Sequence, residues 1–394
     1  MSDWENITIG NVCQKIVSGG TPLTSRHDYY LNGNIPWLKT KEVNQCRIYS
    51  TENHITKLGL ENSSAKLIPE NSVVIAMYGD GQTAGRVGLT KIPLATNQAC
   101  CNLIFNEKIV DAEFVFYNLL GRYDDLVARK TGSGQQNLNS QLIKSFEIQL
   151  PPLIEQKAIA SVLSSLDDKI DLLDRQNTTL ERMAKTLFRQ WFVEEVQEDW
   201  EEVLITKLFD VRDGTHDSPK QKTVGKTLIT SKHIIGSRLD FESAYLISNE
   251  DFQKVNQRSK VDKNDILISM IGTIGLIYLE QAEIVNYAIK NVGLFKTSQN
   301  PKWVAYTYFW LKSNLGRQFL DGHISGSTQE YVSLGSFRSI IFKKPPESRL
   351  AEFNQLAECY LDKINVNSNQ IQTLEKLRDT LLPKLMNGDM RIDL

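Results

Sequence analysis

The sequence lacks nearly all the short motifs that announce catalysis. It has no G-x-x-x-x-G-K-[ST] phosphate loop. The glycines of Gly79-Asp80-Gly81-Gln82-Thr83-Ala84-Gly85 miss the spacing of a dinucleotide loop and read as a tight turn. Its five histidines, His27, His54, His216, His233 and His323, are scattered, with no H-E-x-x-H and no cysteine at ligand spacing, so no metal site is expected. The five cysteines (Cys13, Cys46, Cys100, Cys101, Cys359) form an odd set without C-x-x-C. That usage suits reduced thiols and a cytoplasmic location rather than a disulfide framework. No apolar run reaches the ~18 residues of a membrane span. The opening MSDWENITIG has no basic start followed by an apolar stretch, so no signal peptide is expected.

A surplus of positive charge is also missing. The net charge is -2, with 20 basic and 24 acidic side chains in residues 1–199 and 25 and 23 in the remainder. If DNA is the partner, cations must gather on one face or come from another subunit. The paired carboxylates Asp124-Asp125 and Asp167-Asp168 fall on helical stretches and read as solvated faces rather than acid–base pairs.

What is present is one unit written twice. Asp3-Trp4-Glu5 returns as Asp199-Trp200-Glu201, and VVIAMYG ending at Gly79 returns as ILISMIG ending at Gly272. Leu120-Gly121-Arg122 returns as Leu315-Gly316-Arg317, Gly132-Ser133 with Gln135 as Gly326-Ser327 with Gln329, and Pro151-Pro152 as Pro345-Pro346. The offsets are 196, 193, 195, 194 and 194, in unbroken order, which points to duplication. A period this long means two similar domains rather than a solenoid. In each copy β-rich runs come first (73–78, 99–105; 265–272, 291–295), with an amphipathic helical stretch at 111–130 or 301–321. The proline pair closes the globular part and opens a helix. The pairs read LPPL and KPPE; an amino-methyltransferase would carry Asp or Asn before them and an aromatic after, so the chain is not itself that enzyme.

Both helices carry a heptad. The first seam is Ile159, Leu163, Leu166, Ile170, Leu173, Asn177, Leu180, Ala184, Leu187, Trp191; the second is Phe353, Ala357, Tyr360, Ile364, Asn367, Ile371, Leu374, Arg378, Leu381, Leu385. Spacing alternates 4 and 3, the mark of helix packed on helix. Two duplicated units related by an approximate two-fold axis pair such helices antiparallel. Full overlap sets Ile159 against Leu385, Trp191 against Phe353 and Asn177 against Asn367. A seam of 33 residues at ~1.5 Å each spans roughly 48 Å, longer than one ~34 Å turn of B-DNA. The expected class is therefore α+β: two globular domains at 1–151 and 195–345, each followed by a long helix at 152–194 and 346–388, the helices forming an antiparallel coiled coil.

These features together resemble the specificity subunits of type I restriction–modification systems, over essentially the whole chain. They include the D-W-E openings, the run G-S-G-Q-Q-N-L at 132–138 with its counterpart S-G-S-T-Q at 325–329, and I-x-L-P-P-L-x-E-Q from Ile148 to Gln156. The second copy departs at P-E-S-R-L-A-E-F, without the Glu-Gln pair, which puts equal contact of the two helix starts with partner subunits in question. The resemblance implies that each globular domain is a target-recognition domain for half of a split DNA site. It implies that the helix pair sets the unread spacer and docks two methyltransferase subunits. S-adenosylmethionine would belong to those subunits, ATP to motor-nuclease (restriction) subunits where present, and no cofactor or catalysis to this chain.

DNA contacts are expected from Lys39, Thr40, Lys41, Arg86, Ser133, Gln135 and Gln136 in the first domain, and Thr230, Ser231, Lys232, Ser327 and Gln329 in the second. Thr40-Lys41 and Ser231-Lys232 follow comparable apolar runs and offer a hydroxyl plus a cation, as a phosphate clamp requires. The Gly-Ser-Gln runs also read simply as turns. Two other classes stand beside this reading. A fused restriction–methylation enzyme needs a methyltransferase domain that is absent from the sequence. An adaptor binding protein or sugar would show an apolar or aromatic groove in place of gathered cations.

Overall fold

The computed structural model describes residues 4–79, 83–130 and 137–392. They fall into two compact units, Met1–Ile170 with Gln372–Leu394, and Asp171–Ile371. Each unit holds one globular head and portions of both long helices.

In the first unit a five-stranded sheet runs in the order Cys13–Ser18, Cys100–Phe105, Val73–Ala76, Val87–Thr90, Cys46–Ile48. A second sheet runs Asn53–Ile55, Ile35–Leu38, Leu94–Thr96, Leu67–Ile68. Val73–Ala76 and Val87–Thr90 are buried throughout, which accounts for continuous apolar runs instead of alternation. Strand Glu5–Thr8 pairs antiparallel with Glu147–Leu150, just before Pro151, so Glu5 and the Pro-Pro mark meet where the head closes.

The second unit repeats this order with one strand fewer in each sheet. Val211–Asp213, Val292–Phe295, Ile266–Ser269 and Ile277–Leu279 form one sheet; Leu246–Ile247, Lys226–Thr230 and Tyr287–Lys290 form another. Glu202–Leu204 pairs with Ile341–Lys343 to close the head. Even single backbone bonds recur. Ile9 N donates to Phe146 O and Ile205 N to Ile340 O, both at 2.9 Å.

The expected helical stretches at 111–130 and 301–321 are each broken. The first divides into Ala112–Gly121 and Tyr123–Ala128, the second into Val304–Leu311 and Asn314–His323. In the second head the cause is local: the Ser313 hydroxyl accepts from Gly316 N and starts a new helix. Nor are the leading halves amphipathic, since Phe114 to Leu119 and Ala305 to Leu311 are buried on all sides.

The long helices are Leu153–Arg189, continued by one π turn over Gln190–Glu194, and Glu347–Met386. They start 194 residues apart. Every seam position is buried or half-buried. Within the second unit Asn367 Nδ2 donates to Asn177 Oδ1 at 2.9 Å, and the Trp191 and Phe353 rings lie 6.3 Å apart. Within the first unit Ile159 and Leu163 share a core with Leu382 and Leu385, and Arg378 pairs with Asp167 at 2.9 Å. As one helix ascends in number the other descends in both units, so the segments pair antiparallel in the expected register.

Asp167 overturns its reading as a solvated carboxylate. It is 7% exposed, accepts from the Tyr117 hydroxyl at 2.7 Å, and ties Arg378 of the second helix to the head. Asp168 behaves as expected of a surface residue, 69% exposed beside Arg47.

Only one asparagine layer exists. The residues 194 away from Asn177 and Asn367 are Ile371 and Leu173, both buried and aliphatic. The polar layer therefore breaks the two-fold repetition of the seam.

Candidate nucleic-acid interface

The predicted clamp residues fall on equivalent turns. In the first head, strand Ile35–Leu38 runs into the 3-10 turn Thr40–Glu42; in the second, Lys226–Thr230 runs into Ser231–His233. Each strand is followed by its turn at the end of a parallel pairing, with Leu94–Thr96 and Tyr287–Lys290 respectively. The turns are closed by the same backbone capture. Lys39 N donates to Glu42 Oε1 and Thr230 N to His233 Nδ1, both at 3.0 Å. His233 is fully buried, and burial, with Lys232 beside it, lowers its pKa. The ring stays neutral and keeps the lone pair that accepts.

These caps aim different side chains. Lys39 is half-buried, its Nζ 3.3 Å from Asn53 Oδ1 and 5.2 Å from the Trp37 ring centroid. Thr40 is half-buried and Lys41 exposed, with Lys41 Nζ 2.5 Å from Glu52 Oε2. That carboxylate raises the Lys41 pKa, so the amine is a cation at neutral pH. Arg86 lies beside the same loop, donating to Asn44 Oδ1 at 2.6 Å. In the second head Thr230 is half-buried and Lys232 exposed.

Ser231 requires a correction. It is buried, its hydroxyl donates its one proton to Asn291 O at 2.7 Å and accepts from Met270 N at 3.2 Å, so no proton is left for a phosphate. Its work is to tie the turn to the neighbouring strands. The hydroxyl at this turn falls to Thr230 and the cation to Lys232.

The Gly-Ser-Gln mark of the second head lies at the same edge. Val332 N donates to Met270 O at 3.0 Å, which places the 325–331 loop beside the hairpin that carries Gly272; in the first head Leu138 N donates to Met77 O at 3.1 Å, close to Gly79 in the chain. Both glycines have positive φ, +147° and +76°. In the second head Ser325 and Tyr331 exchange backbone hydrogen bonds around an exposed loop with Ser327 and Gln329. Ser133, Gln135 and Gln136 lie outside the described residues. The second head thus brings Thr230, Lys232 and the 325–331 loop around Met270 and Ile271. In the first, Lys39, Lys41 and Arg86 converge on the loop that follows strand Ile35–Leu38.

The Glu-Gln pair proves to be an anchor. Gln156 is 1% exposed, accepts from Asp111 N at 2.9 Å and donates to Pro151 O at 2.8 Å and Ile109 O at 3.2 Å. Glu155 accepts from Trp4 Nε1 at 3.3 Å. The pair fastens the helix to its own head and is not free for partner contact. Its loss in the second copy is met by Arg349, whose guanidinium lies 5.9 Å from the Trp200 ring centroid.

No metal-holding cluster occurs among the described residues. No helix among them is long and apolar enough to cross a membrane.

Two matched heads, each presenting a capped turn beside a glycine hairpin, and joined to paired helices, define a tandem recognition protein. The family model for the type I restriction modification DNA specificity domain matches residues 1–182 and again 197–373, and the chain belongs to that family. Among its relatives is the type I restriction enzyme MjaIX specificity subunit of Methanocaldococcus jannaschii, 26% identical over 428 residues, covering 99% of this chain and 94% of the relative. The EcoR124I/EcoR124II specificity subunit of Escherichia coli is 31% identical over 170 residues, covering 42% of this chain and 41% of the relative. The fold is similar to the crystal structure of a type I restriction–modification S subunit from M. genitalium, with TM-score 0.58 and 17% identity over 100% of this chain and 97% of the other. The chain is a specificity subunit, the non-catalytic component of its system.

Proposed function

We infer that the chain selects DNA for a type I restriction–modification complex by reading the two halves of a split target, one with each head. The observation that carries this is a single backbone site built twice, with the same capped turn, from different side chains: Lys39, Thr40, Lys41 and Glu42 in one head, Thr230, Ser231, Lys232 and His233 in the other. Equal scaffolds with unequal side chains suit two different half-sites. Lys41 and Lys232 contact phosphate, which positions the head, while Arg86, Ser327 and Gln329 stand where base edges are read.

The paired helices set the spacer, and the Asn177–Asn367 layer holds their register. They also carry two methyltransferase subunits, which supply S-adenosylmethionine chemistry; restriction subunits that use ATP complete the complex. Both helices leave apolar side chains exposed at matching positions: Val162 and Leu356, Leu172 and Val366, Met183 and Leu377. Each pair is 194 residues apart, as a partner present in two copies requires. The work belongs to the cytoplasm, where the DNA is.

The test is a methylation footprint with the partner methyltransferase present. It should show a split target, and exchanging residues 1–150 for those of a relative should change one half only. Change in both halves, or methylation without a split motif, would reject independent heads.

A further inference from the structure

We propose that the second head reads base edges with a helix that has no equal in the first, Asn249–Ser259, working with the loop at 215–222. This rests on the DNA-reading function above and locates half of it.

The helix is 11 residues long, starts at a Ser248 cap, and lays Val255 and Ser259 inward, where Val255 packs with Leu228, Ile247 and Ala288. Its outer face exposes Gln253 and Gln257, and its flank toward the neighbouring loop exposes Lys254 and Arg258. These form two i, i+4 pairs, the glutamines pointing together and the two cations beside them. The types are those of direct readout: a Gln amide can bind adenine through two bonds, and Arg or Lys can do so with guanine. The corresponding helix in the first head, Lys57–Glu61, has five residues and closes on itself through a Lys57–Glu61 ion pair at 3.6 Å.

Beside the helix runs a cleft of about 650 Å³ lined by Thr215, Ser218, Lys220, Lys222, Lys254 and Arg258. Lys220, Lys222 and Lys254 have no ion-pair partner among the described residues, so their charge is available to phosphate. Asp217, Glu250 and Asp251 also line the cleft. Glu250 and Asp251 sit in the first helical turn, and Asp251 accepts from the Ser248 hydroxyl at 2.8 Å. Acid therefore marks the start of the helix and base its end.

The basic end is the one that joins the clamp turn. Buried Asp213 pairs with Arg258 and also holds His216 Nε2 at 2.9 Å. His216 Nδ1 lies 2.9 Å from Asn291 Oδ1, and Asn291 O receives the Ser231 hydroxyl. A hydrogen-bonded path thus runs from Arg258 through Asp213, His216 and Asn291 to Ser231, the chain neighbour of Lys232. Along it lysines can follow a phosphate backbone while the helix faces a groove.

The test uses the full chain with its methyltransferase partner and a duplex library carrying randomised base pairs. The unchanged protein should select a split motif. Gln253→Ala with Gln257→Ala should lose preference at positions in one half by roughly tenfold or more and leave the other half intact. Lys220→Ala with Lys222→Ala should weaken binding to selected and unselected duplexes alike and lower the salt slope by about 1 for each phosphate no longer neutralised. All four side chains are exposed, and an unchanged melting curve separates these effects from misfolding; Gln257→Asn provides a milder second variant. An unchanged motif in the glutamine variants overturns the proposal. So does an unchanged motif with loss of the methyltransferase, which would assign this face to the protein partner. Failure of the unchanged protein to select any motif would instead reject the DNA-reading function itself.

Discussion

The two junctions between head and helix solve one problem with opposite charges. In the first, Trp4 donates its indole N–H to Glu155, and buried Gln156 satisfies three backbone groups. In the second, Arg349 lies over both Trp200 and Trp191, and Leu350 is simply buried. The cores differ as well. The first packs Ile159 and Leu163 on Leu382 and Leu385; the second packs Phe188, Phe192 and Tyr306 around Phe353, with Phe192 4.9 Å from it at 89°. Duplication kept the central strand pairings and shed only edge strands, because losing an inner pairing leaves buried polar groups unpaired. It let side chains drift wherever a different group could fill the same space.

The sharpest way to break the comparison is to empty the aromatic junction. Phe353→Ala should cost ~4 kcal/mol and Ile159→Ala, at the matching place, ~3 kcal/mol, because the larger ring leaves the larger cavity. Urea unfolding of each variant measures both. Equal costs would mean that the aromatic cluster relaxes to fill the hole.

Next comes the anchor. Gln156→Leu installs the residue type found at 350 and strands Asp111 N and two carbonyls, for a loss of ~2 kcal/mol. A leucine as stable as glutamine would show that water replaces the amide there.

The seam offers a double-mutant cycle. Asn177→Leu alone should destabilise by ~1 kcal/mol, since Asn367, fully buried, loses its acceptor at 2.9 Å and keeps only Gln176 Oε1 at 3.4 Å. Adding Asn367→Leu should restore or exceed the starting melting temperature, because a matched apolar layer needs no partner. Additive losses would remove the pairing argument.

On DNA, Lys41→Ala and Lys232→Ala should each weaken binding to all sequences alike and lower the salt slope by about 1. A change in sequence preference from either would refute its phosphate role. The smallest expected effect separates the two turns by pH. His233 has a lowered folded pKa, so the unfolded chain binds more protons below the ordinary histidine value of ~6.5. Stability contributed by the neutral ring is present above that pH and lost as pH falls from there toward the folded value. Melting temperatures taken from pH 7 to 5 should decline less steeply in His233→Gln than in the parent protein.

Much of this was written in local order. The repeat, the heptads, the proline pairs and the seam asparagines are periodic or positional signals, and side chains 3 and 4 apart on a helix must share a face whatever surrounds them. That is why the facing pairs of the seam could be read from residue numbers. The lysine-bearing turns were legible for a similar reason, as the same hydroxyl and cation after the same apolar run. Tertiary structure alone decided the fates of single polar groups. Ser231 looked like Thr40 in sequence, yet Asn291 O and Met270 N, far away in the chain, consume its hydroxyl. Asp167 looked like Asp168, and Tyr117 and Arg378 buried it. The 249–259 helix carries a Ser cap that a sequence can show, but its meaning came from Asp213 and the cleft beside it. A hydrogen bond depends on which partner arrives within about 3 Å, and partners distant in the chain leave no trace in the local pattern.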